Sequence, residues 1–341
     1  VATPLRVVQW ATGNIGTWSL REVIRHADLD LVGVWVHSAD KAGRDAGELC
    51  GLDPVGVTAT SELADVLALG ADCVLYMPRQ LELDEVCAIL ESGTNVVTTR
   101  GEFQNPARLD PAVGERVDAA CAAGRTSLYG TGSSPGFITE ALPLVLASIQ
   151  RRLDGLLIEE FADLSKRDSP DLLFTIMGFG KPLTEIQSEG RLAHLKASFG
   201  PSLELVADAL SMPLDEVVAH GELATVPRDI GIAAGTVLAG TVGGQRTTVS
   251  GLRDGAPVLQ FRATWFCTTE LEPTWDLRET GWKVTVAGDA PMDIEIGLPA
   301  RLDQMAGYTA NRAVNAVPYV CAAPPGLRST VDLPQVIPTL G

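Results

Sequence analysis

Glu102 stands between Gly101 and Phe103, directly after the apolar run Asn95–Thr99. A carboxylate at the tip of a buried strand has three uses. Partly desolvated, its pKa rises, and it serves as a general acid or base near neutral pH. It can hold an ammonium or iminium by direct charge pairing. It can also be an ordinary solvated loop glutamate, the usual state of that residue type. The four histidines (His26, His37, His194, His220) and six cysteines (Cys50, Cys73, Cys87, Cys121, Cys267, Cys321) are scattered. None has metal-ligand spacing, so no metal is expected. The cysteines read as free thiols of a reducing compartment.

A second group of residues is suited to phosphate. Leu5–Gln9 is apolar, Ala11-Thr12-Gly13-Asn14-Ile15-Gly16 follows, and a helix-like stretch runs from Thr17 to Arg25 before the apolar Leu29–Val36. Strand, glycine turn, helix and strand make the first βαβ of a dinucleotide-binding domain, with Ala11 in the first position of G-x-G-x-x-G. Gly13 lets the backbone approach a pyrophosphate, and Gly16 lets the helix pack on the strand. The helix start, around Asn14 and Ile15, supplies free N–H donors. The second run ends in Val36-His37-Ser38-Ala39-Asp40-Lys41-Ala42-Gly43-Arg44. No acid sits at the strand tip for a ribose 2′-hydroxyl, whereas Ser38, Lys41 and Arg44 suit a 2′-phosphate. NADP is therefore expected over NAD, with NAD still allowed and Asp40 able to turn inward.

The elements that must position these residues alternate. Ser61–Leu69, Leu83–Ser92 and Val113–Ala123 read as helices; Ala71–Tyr76, Asn95–Thr99 and Thr126–Tyr129 read as strands. The fold class expected is α/β, an N-terminal Rossmann domain with a doubly wound parallel sheet. Ligands of such sheets gather at the carboxyl ends of the strands. Those ends carry Met77 and Pro78, Arg100 and Glu102, and the Gly130–Gly136 loop with Ser133 and Ser134, leading into a helix from Ile138.

From Asp154 the texture changes to a second, α+β domain for substrate and dimerisation. Leu156–Phe161 reads as a strand and Leu183–Leu210 as mostly helix. Gly235–Val242, Arg246–Asp254 and Pro257–Thr268 read as three strands of one antiparallel sheet, with Lys283–Gly288 and Asp293–Pro299 as two more. Lys166, Arg167 and Asp168 are either substrate contacts or surface charges. Leu172, Phe174, Ile176 and Met177 either line an apolar pocket or pack a core. Met305–Val320 reads as an apolar helix with Asn311 and Asn315 on one face, followed by a Pro-rich tail. Buried amides there need partners, the nicotinamide carboxamide or backbone groups. The domains expected are residues 1–135, 136–303 and 304–341, the last returning to the first domain.

Bulk properties narrow the classes. Hydrophobic residues make up 46% and charged residues 20% of the 341, as in soluble globular proteins. The net charge of −17 argues against nucleic-acid and anionic-membrane surfaces. No run reads as a membrane span or signal peptide, so a cytoplasmic location is expected. An open sheet in the second domain would need covering, so a homodimer is expected.

The motifs together carry a resemblance. WATGNIG at the start, TTRGE around Glu102, GTGSSPGF, MGFG at Met177–Gly180 and TANRAVNAVPYVCAAPPG near the end occur in order. In these the chain resembles the dihydrodipicolinate reductase-like superfamily, and within it the branch of 2,4-diaminopentanoate dehydrogenase and the NAD(P)-dependent amine dehydrogenases. The resemblance implies reversible conversion of a small primary amine to a ketone or aldehyde plus ammonia, with hydride transfer to nicotinamide. It puts the catalytic glutamate on Glu102, which would activate ammonia or water and hold the iminium. The cofactor residues expected from the turn, the strand ends and the last helix are Gly13–Gly16, Ser38, Lys41, Arg44, Met77, Pro78, Arg100 and Asn315. The substrate pocket that the resemblance implies is built by Ser133, Ile138, residues near Arg167, Leu172 and Phe174; Ser134 and Met177 are expected in the pocket as well. Two departures separate the chain from dihydrodipicolinate reductases. Lys166–Pro170 keeps K-x-D-x-P, but Ala162 replaces the expected histidine and Asp171-Leu172-Leu173 replaces S-G-T. Ser134 also replaces a frequent Asn. Reduction of a cyclic C=N or C=C bond, or a non-catalytic NADP sensor, are the alternative readings.

Overall fold

The computed structural model describes residues 3–186, 188–299, 301 and 304–340. The chain divides into two compact units, Val1–Phe137 with Asp303–Gly341, and Ile138–Leu302. The boundary expected at 303 lies outside the described residues.

The first unit runs β1 (Leu5–Trp10), α1 (Asn14–Arg25), β2 (Leu29–Trp35), α2 (Ala46–Leu49), β3 (Ala59–Thr60), α3 (Leu63–Ala68), β4 (Cys73–Tyr76), α4 (Leu83–Glu91), β5 (Asn95–Thr98), α5 (Pro111–Gly124) and β6 (Ser127–Gly130). Its strands form one seven-stranded sheet in the order β15-β6-β5-β4-β1-β2-β3, where β15 (Gly326–Arg328) comes from the end of the chain. Every neighbouring pair is parallel. The order reverses between β1 and β4, the switch point where such sheets bind ligands.

Alternating side chains explain why both faces are covered. Val7, Leu75 and Val97 pack on one face with Leu20 and Val23 of α1 and with Val314 and Val317 of α8 (Ala306–Cys321). Val8, Val74 and Val96 pack on the other with Val86 and Ile89 of α4 and Val117 of α5. The α/β class with a Rossmann-like parallel sheet is borne out. The Pro-rich tail is more than a tail, because β15 caps the β6 edge. Three residues are too few for a period to show in the sequence.

The second unit contains α6 (Leu142–Ala147), β7 (Leu153–Asp163), α7 (Ser188–Ala209), β8 (Glu216–Thr225), β9 (Ile230–Ile232), β10 (Gly235–Val237), β11 (Val242–Arg253), β12 (Ala256–Phe266), β13 (Gly281–Gly288) and β14 (Met292–Gly297). Its six-stranded sheet has the order β14-β13-β7-β12-β11-β8. The β7–β12 pair is parallel and the others are antiparallel. Two sequence expectations are corrected here. Gly235–Val242 is not a strand of this sheet: Gly235–Val237 pairs with Ile230–Ile232 in a separate hairpin, and the outer partner of β11 is β8. The sheet is also mixed, since β7 enters it parallel to β12. α7 lies on one face, with Phe199 stacked on Phe261 of β12 at 3.9 Å between ring centroids.

One close approach in the first unit shapes everything near it. A Cβ on Gly16 would lie 2.1 Å from the Ala11 carbonyl oxygen, whereas a Cβ on Gly13 would meet nothing within 4 Å. Gly16→Ala therefore forces α1 off the turn and should cost on the order of 1–3 kcal/mol or more. Gly13→Ala should change stability by no more than about 0.5 kcal/mol. Denaturant unfolding of both variants checks this; equal losses would contradict the packing.

Candidate active site

The turn after β1 is built by a buried polar side chain. Gln9 is fully buried in mid-sheet. Its amide donates to the carbonyl oxygens of Ala11 at 3.0 Å, Trp10 at 3.3 Å and Leu75 at 3.4 Å. It thereby holds Ala11 in the left-handed region, at φ 70°. That is the place where the glycine motif has its first glycine, and Ala11 fills it at a backbone cost. Gly13 is the N-cap of α1, whose first turn carries no acid. Asn14 is exposed and Ile15 packs on the core beneath. The first N–H groups of α1 and the open space over Gly13 make an anion cradle.

Lys41 belongs to the same corner. Its Nζ donates to the Thr12 carbonyl oxygen at 3.0 Å and to Thr12 Oγ1 at 3.1 Å, so the cation stands against the glycine turn. Ser38 and Asp40 are exposed. Arg44, just before α2, faces Glu48 of that helix at 4.0 Å on the surface, so its charge is partly engaged there.

The neighbouring strand tips are tied together. The Met77 N–H donates to the Trp10 carbonyl at 3.1 Å, and Met77 is buried while Pro78 is half-buried. Tyr76 is fully buried beside them, and burial pushes its phenol up to about 12, so it stays neutral and serves as no base. Thr98 is the hub: its hydroxyl donates to the Tyr76 carbonyl at 2.7 Å and accepts from the Arg100 N–H at 3.1 Å. Its carbonyl accepts from the Thr131 N–H at 2.8 Å. Gly101–Phe103 then forms one tight helical turn with Phe103 fully buried. Anchoring Phe103 inward turns Glu102 outward.

Glu102 therefore departs from the buried carboxylate considered above. Its side chain is 43% exposed and pairs with Arg100, itself 22% exposed. Arg100 also donates to the Arg79 carbonyl. Within this unit Arg100 is the partner that orients Glu102, and the burial condition is not met.

The loop after β6 is tied to α8. Ser133 and Thr309 share a hydroxyl–hydroxyl hydrogen bond of 2.7 Å. Ser134 Oγ and Thr131 Oγ1 are buried without a partner among the described residues. On α8, Asn315 is half-buried and Asn311 is exposed. The expected pair of buried amides is therefore not formed.

In the second unit Ile138 is fully buried, and Arg167, Leu172, Phe174 and Met177 are half-buried. Phe174 and Met177 pack at the margin of the core cluster of Leu173, Phe179 and Val226. Ile176 is exposed. Beside Met177 lie two residues that sequence reasoning missed, Gln245 and Arg191. Gln245 donates to the Met177 carbonyl at 2.6 Å and accepts from Arg191 Nη1. Gln9, Thr98 and Thr309 were missed too, since a polar residue inside an apolar run carries no signal of what it will hold. Among the described residues no group of three or more His, Cys, Asp or Glu could hold a metal ion, and no helix is long and apolar enough to cross a membrane.

Comparison with known proteins gives this architecture a context. Residues 178–340 match the family model of the 2,4-diaminopentanoate dehydrogenase C-terminal domain. An amine dehydrogenase of Streptomyces virginiae is 28% identical over 346 aligned residues, covering 97% of this chain and 96% of that one. The 2,4-diaminopentanoate dehydrogenase of Acetoanaerobium sticklandii is 24% identical over 283, covering 81% and 75%. The solved amine dehydrogenase of Mycobacterium smegmatis shares the fold with a TM-score of 0.77, at 20% identity over 98% of this chain and 97% of that one. The resemblance read from the motifs is thus borne out, and the chain is a homologue of oxidoreductases in the branch of the amine dehydrogenases and 2,4-diaminopentanoate dehydrogenase.

Proposed function

We propose that this chain is a nicotinamide-dependent amine dehydrogenase that interconverts a small primary amine with a carbonyl compound and ammonia. The observation that carries the reading is Glu102. It is presented by a pinned turn at the carboxyl end of β5, on the sheet edge that also bears the Gly13 cradle at the end of β1. The nearly full-length likeness to an amine dehydrogenase supports it. A bound nicotinamide cofactor supplies the hydride acceptor or donor. The residues that fit it are Gly13, with its open space, the first N–H groups of α1, and Lys41 against Thr12. Met77, Pro78, Arg100 and Asn315 complete the proposed cofactor set.

Glu102 would handle the protons. An amine gives up hydride only when neutral, so a base first takes a proton from the ammonium, a role the exposed Glu102 takes once bound cofactor and substrate partly cover it. Once that proton has passed to solvent, to which Glu102 is open in part, the same carboxylate assists attack of water on the iminium carbon. In reverse the carboxylate positions ammonia and pairs with the iminium charge. Arg100, bonded to the backbone at Arg79, keeps the carboxylate in one orientation. Ser133, Ser134, Ile138, Arg167, Leu172, Phe174 and Met177 are the proposed substrate contacts.

We infer that NADP is preferred. Ser38 is exposed at the tip of β2, no acid precedes it, and the Lys41 ammonium stands beside the turn. Arg44 contributes least, being drawn toward Glu48. A cytoplasmic homodimer completes the proposal. The sheet face of β11 and β12 away from α7 suits a second copy, because it carries a half-buried polar ladder. In it Arg262 bonds Thr248 and Glu159, and Gln260 bonds Ser250.

Two measurements test these readings. Glu102→Gln keeps the shape and loses the base, so turnover should fall on the order of 10²–10⁴-fold with cofactor affinity nearly unchanged. Near wild-type deamination would remove Glu102 from the chemistry. Ser38→Asp sets a carboxylate against a 2′-phosphate and should lower the NADP/NAD affinity ratio by about tenfold or more. An unchanged ratio would contradict the cofactor assignment.

A further inference from the structure

Of the six cysteines, Cys50, Cys73, Cys87, Cys121 and Cys267 are buried and Cys321 is half-buried. Two of them meet. Cys73 is the first residue of β4 and Cys321 the last of α8. Both belong to the apolar cluster between the sheet and the helices α1 and α8. The Cys321 thiol donates to the Asp72 carbonyl oxygen at 3.7 Å. Asp72 directly precedes Cys73, so that bond holds the Cys321 sulfur at the start of β4. The Cys73 thiol donates to the Val74 carbonyl oxygen at 3.7 Å and lies in hydrogen-bond contact with the Cys321 thiol.

Packing alone asks for no such pair, because a buried free cysteine serves a core as a small apolar side chain. Two thiols in contact can do what neither does alone, which is to give up two electrons and share a bond. A disulfide forms only between sulfurs that already meet, and these do. They differ in access. Cys73 is fully buried, and burial, then the neighbouring Cys321, holds its thiol well above the usual range. It stays protonated and out of reach of solvent. Cys321 is open to a small oxidant. Access therefore sets an order in which the outer sulfur reacts first and the inner one resolves it.

We propose that Cys73 and Cys321 form an oxidation site, at which a peroxide converts the thiol pair into a disulfide that fastens the end of α8 to the start of β4. In the first step the Cys321 sulfur attacks one oxygen of the peroxide. The O–O bond breaks, Cys321 becomes a sulfenic acid, and the other oxygen leaves as water with the thiol proton. In the second step the Cys73 sulfur attacks the Cys321 sulfur. The S–O bond breaks, the S–S bond forms, and the hydroxyl leaves as water with the Cys73 proton. The pair loses two electrons and the peroxide gains them. A thiol reductant reverses the bond by exchange, and transient disulfides of this kind are the ones a reducing compartment permits. The fastening point matters to the fold. α8 carries Thr309, which bonds Ser133, and β15 follows shortly after Cys321 to pair with β6. A disulfide at Cys321 pins the chain between the helix that holds the Ser133 loop and the strand that closes the sheet edge.

The test uses the full chain, reduced, freed of reductant and treated with hydrogen peroxide, with and without dimedone, which traps sulfenic acids. Peptide mapping by mass spectrometry should find Cys73 joined to Cys321, lighter by two hydrogen atoms than the free pair, with the link lost on adding dithiothreitol. Cys321→Ser should lose the link and leave Cys73 unmodified. Cys73→Ala removes the resolving sulfur, so dimedone-labelled Cys321 should accumulate beyond the wild-type level. Should Cys73→Ala fail to fold, the wild-type map and Cys321→Ser stand by themselves. Wild type without the Cys73–Cys321 link overturns the site, whether Cys321 stays a thiol, stops at the sulfenic acid or joins a second copy. Oxidation of Cys73 in a folded Cys321→Ser as fast as in wild type, or no label on Cys321 in a folded Cys73→Ala, overturns the order of the two steps.

Discussion

The first unit depends on how closely α1 approaches the end of β1. The Ala11 carbonyl occupies the space that a side chain on residue 16 would need, and the Gln9 amide nitrogen that holds this carbonyl lies close to the same space. The Gln9 amide nitrogen makes its hydrogen bonds, while its Oε1 is buried without a partner among the described residues. Its donors fix the Ala11 turn and reach across to Leu75 of β4. From that constraint follow the direction of α1, the free N–H groups at its start and the open space over Gly13. Lys41 adds its charge to the same corner through Thr12.

Rigidity then passes along the strand tips. Thr98 links β4, the Arg100 backbone and the Thr131 loop through short hydrogen bonds. The loop after β6 passes the bond on to α8 through Ser133 and Thr309. Glu102 sits on this lattice, with Phe103 as the buried anchor and Arg100 as the orienting cation. A carboxylate so held pays little reorganisation cost when a cationic group comes to it. The second unit repeats the device with different chemistry. There a buried amide, Gln245, holds an arginine and a loop carbonyl together.

Much of this was legible in the sequence. Strands that are apolar on both faces and helices with one apolar stripe are what a parallel sheet requires, and the period changes at each boundary mark them. The turn at Gly13–Gly16 was legible by its glycines, of which Gly16 is the one whose place no side chain could share. The second unit was read less well. The Glu216–Thr225 strand alternates too weakly to stand out, since its less exposed positions include Ala219, Gly221 and Ala224 beside Val and Leu. Gly235–Val242 looked like one strand because the Leu238–Thr241 turn carries no proline or charge. The three residues of β15 find their partner almost two hundred positions away, and no local pattern encodes that. The site residues were legible by type and by place at strand ends. Their states were not, because exposure of Glu102 and engagement of Arg44 are set by how their neighbours pack.

The central claim is that Glu102 and the dinucleotide turn serve the exchange of an amine with a carbonyl. The most direct measurement runs the reaction toward the amine, with a ketone, reduced nicotinamide cofactor and isotopically labelled ammonium. One labelled amine should form for each reduced cofactor consumed, and none when ammonium is omitted. Cofactor consumption that yields the alcohol, or that proceeds equally without ammonium, would contradict the claim.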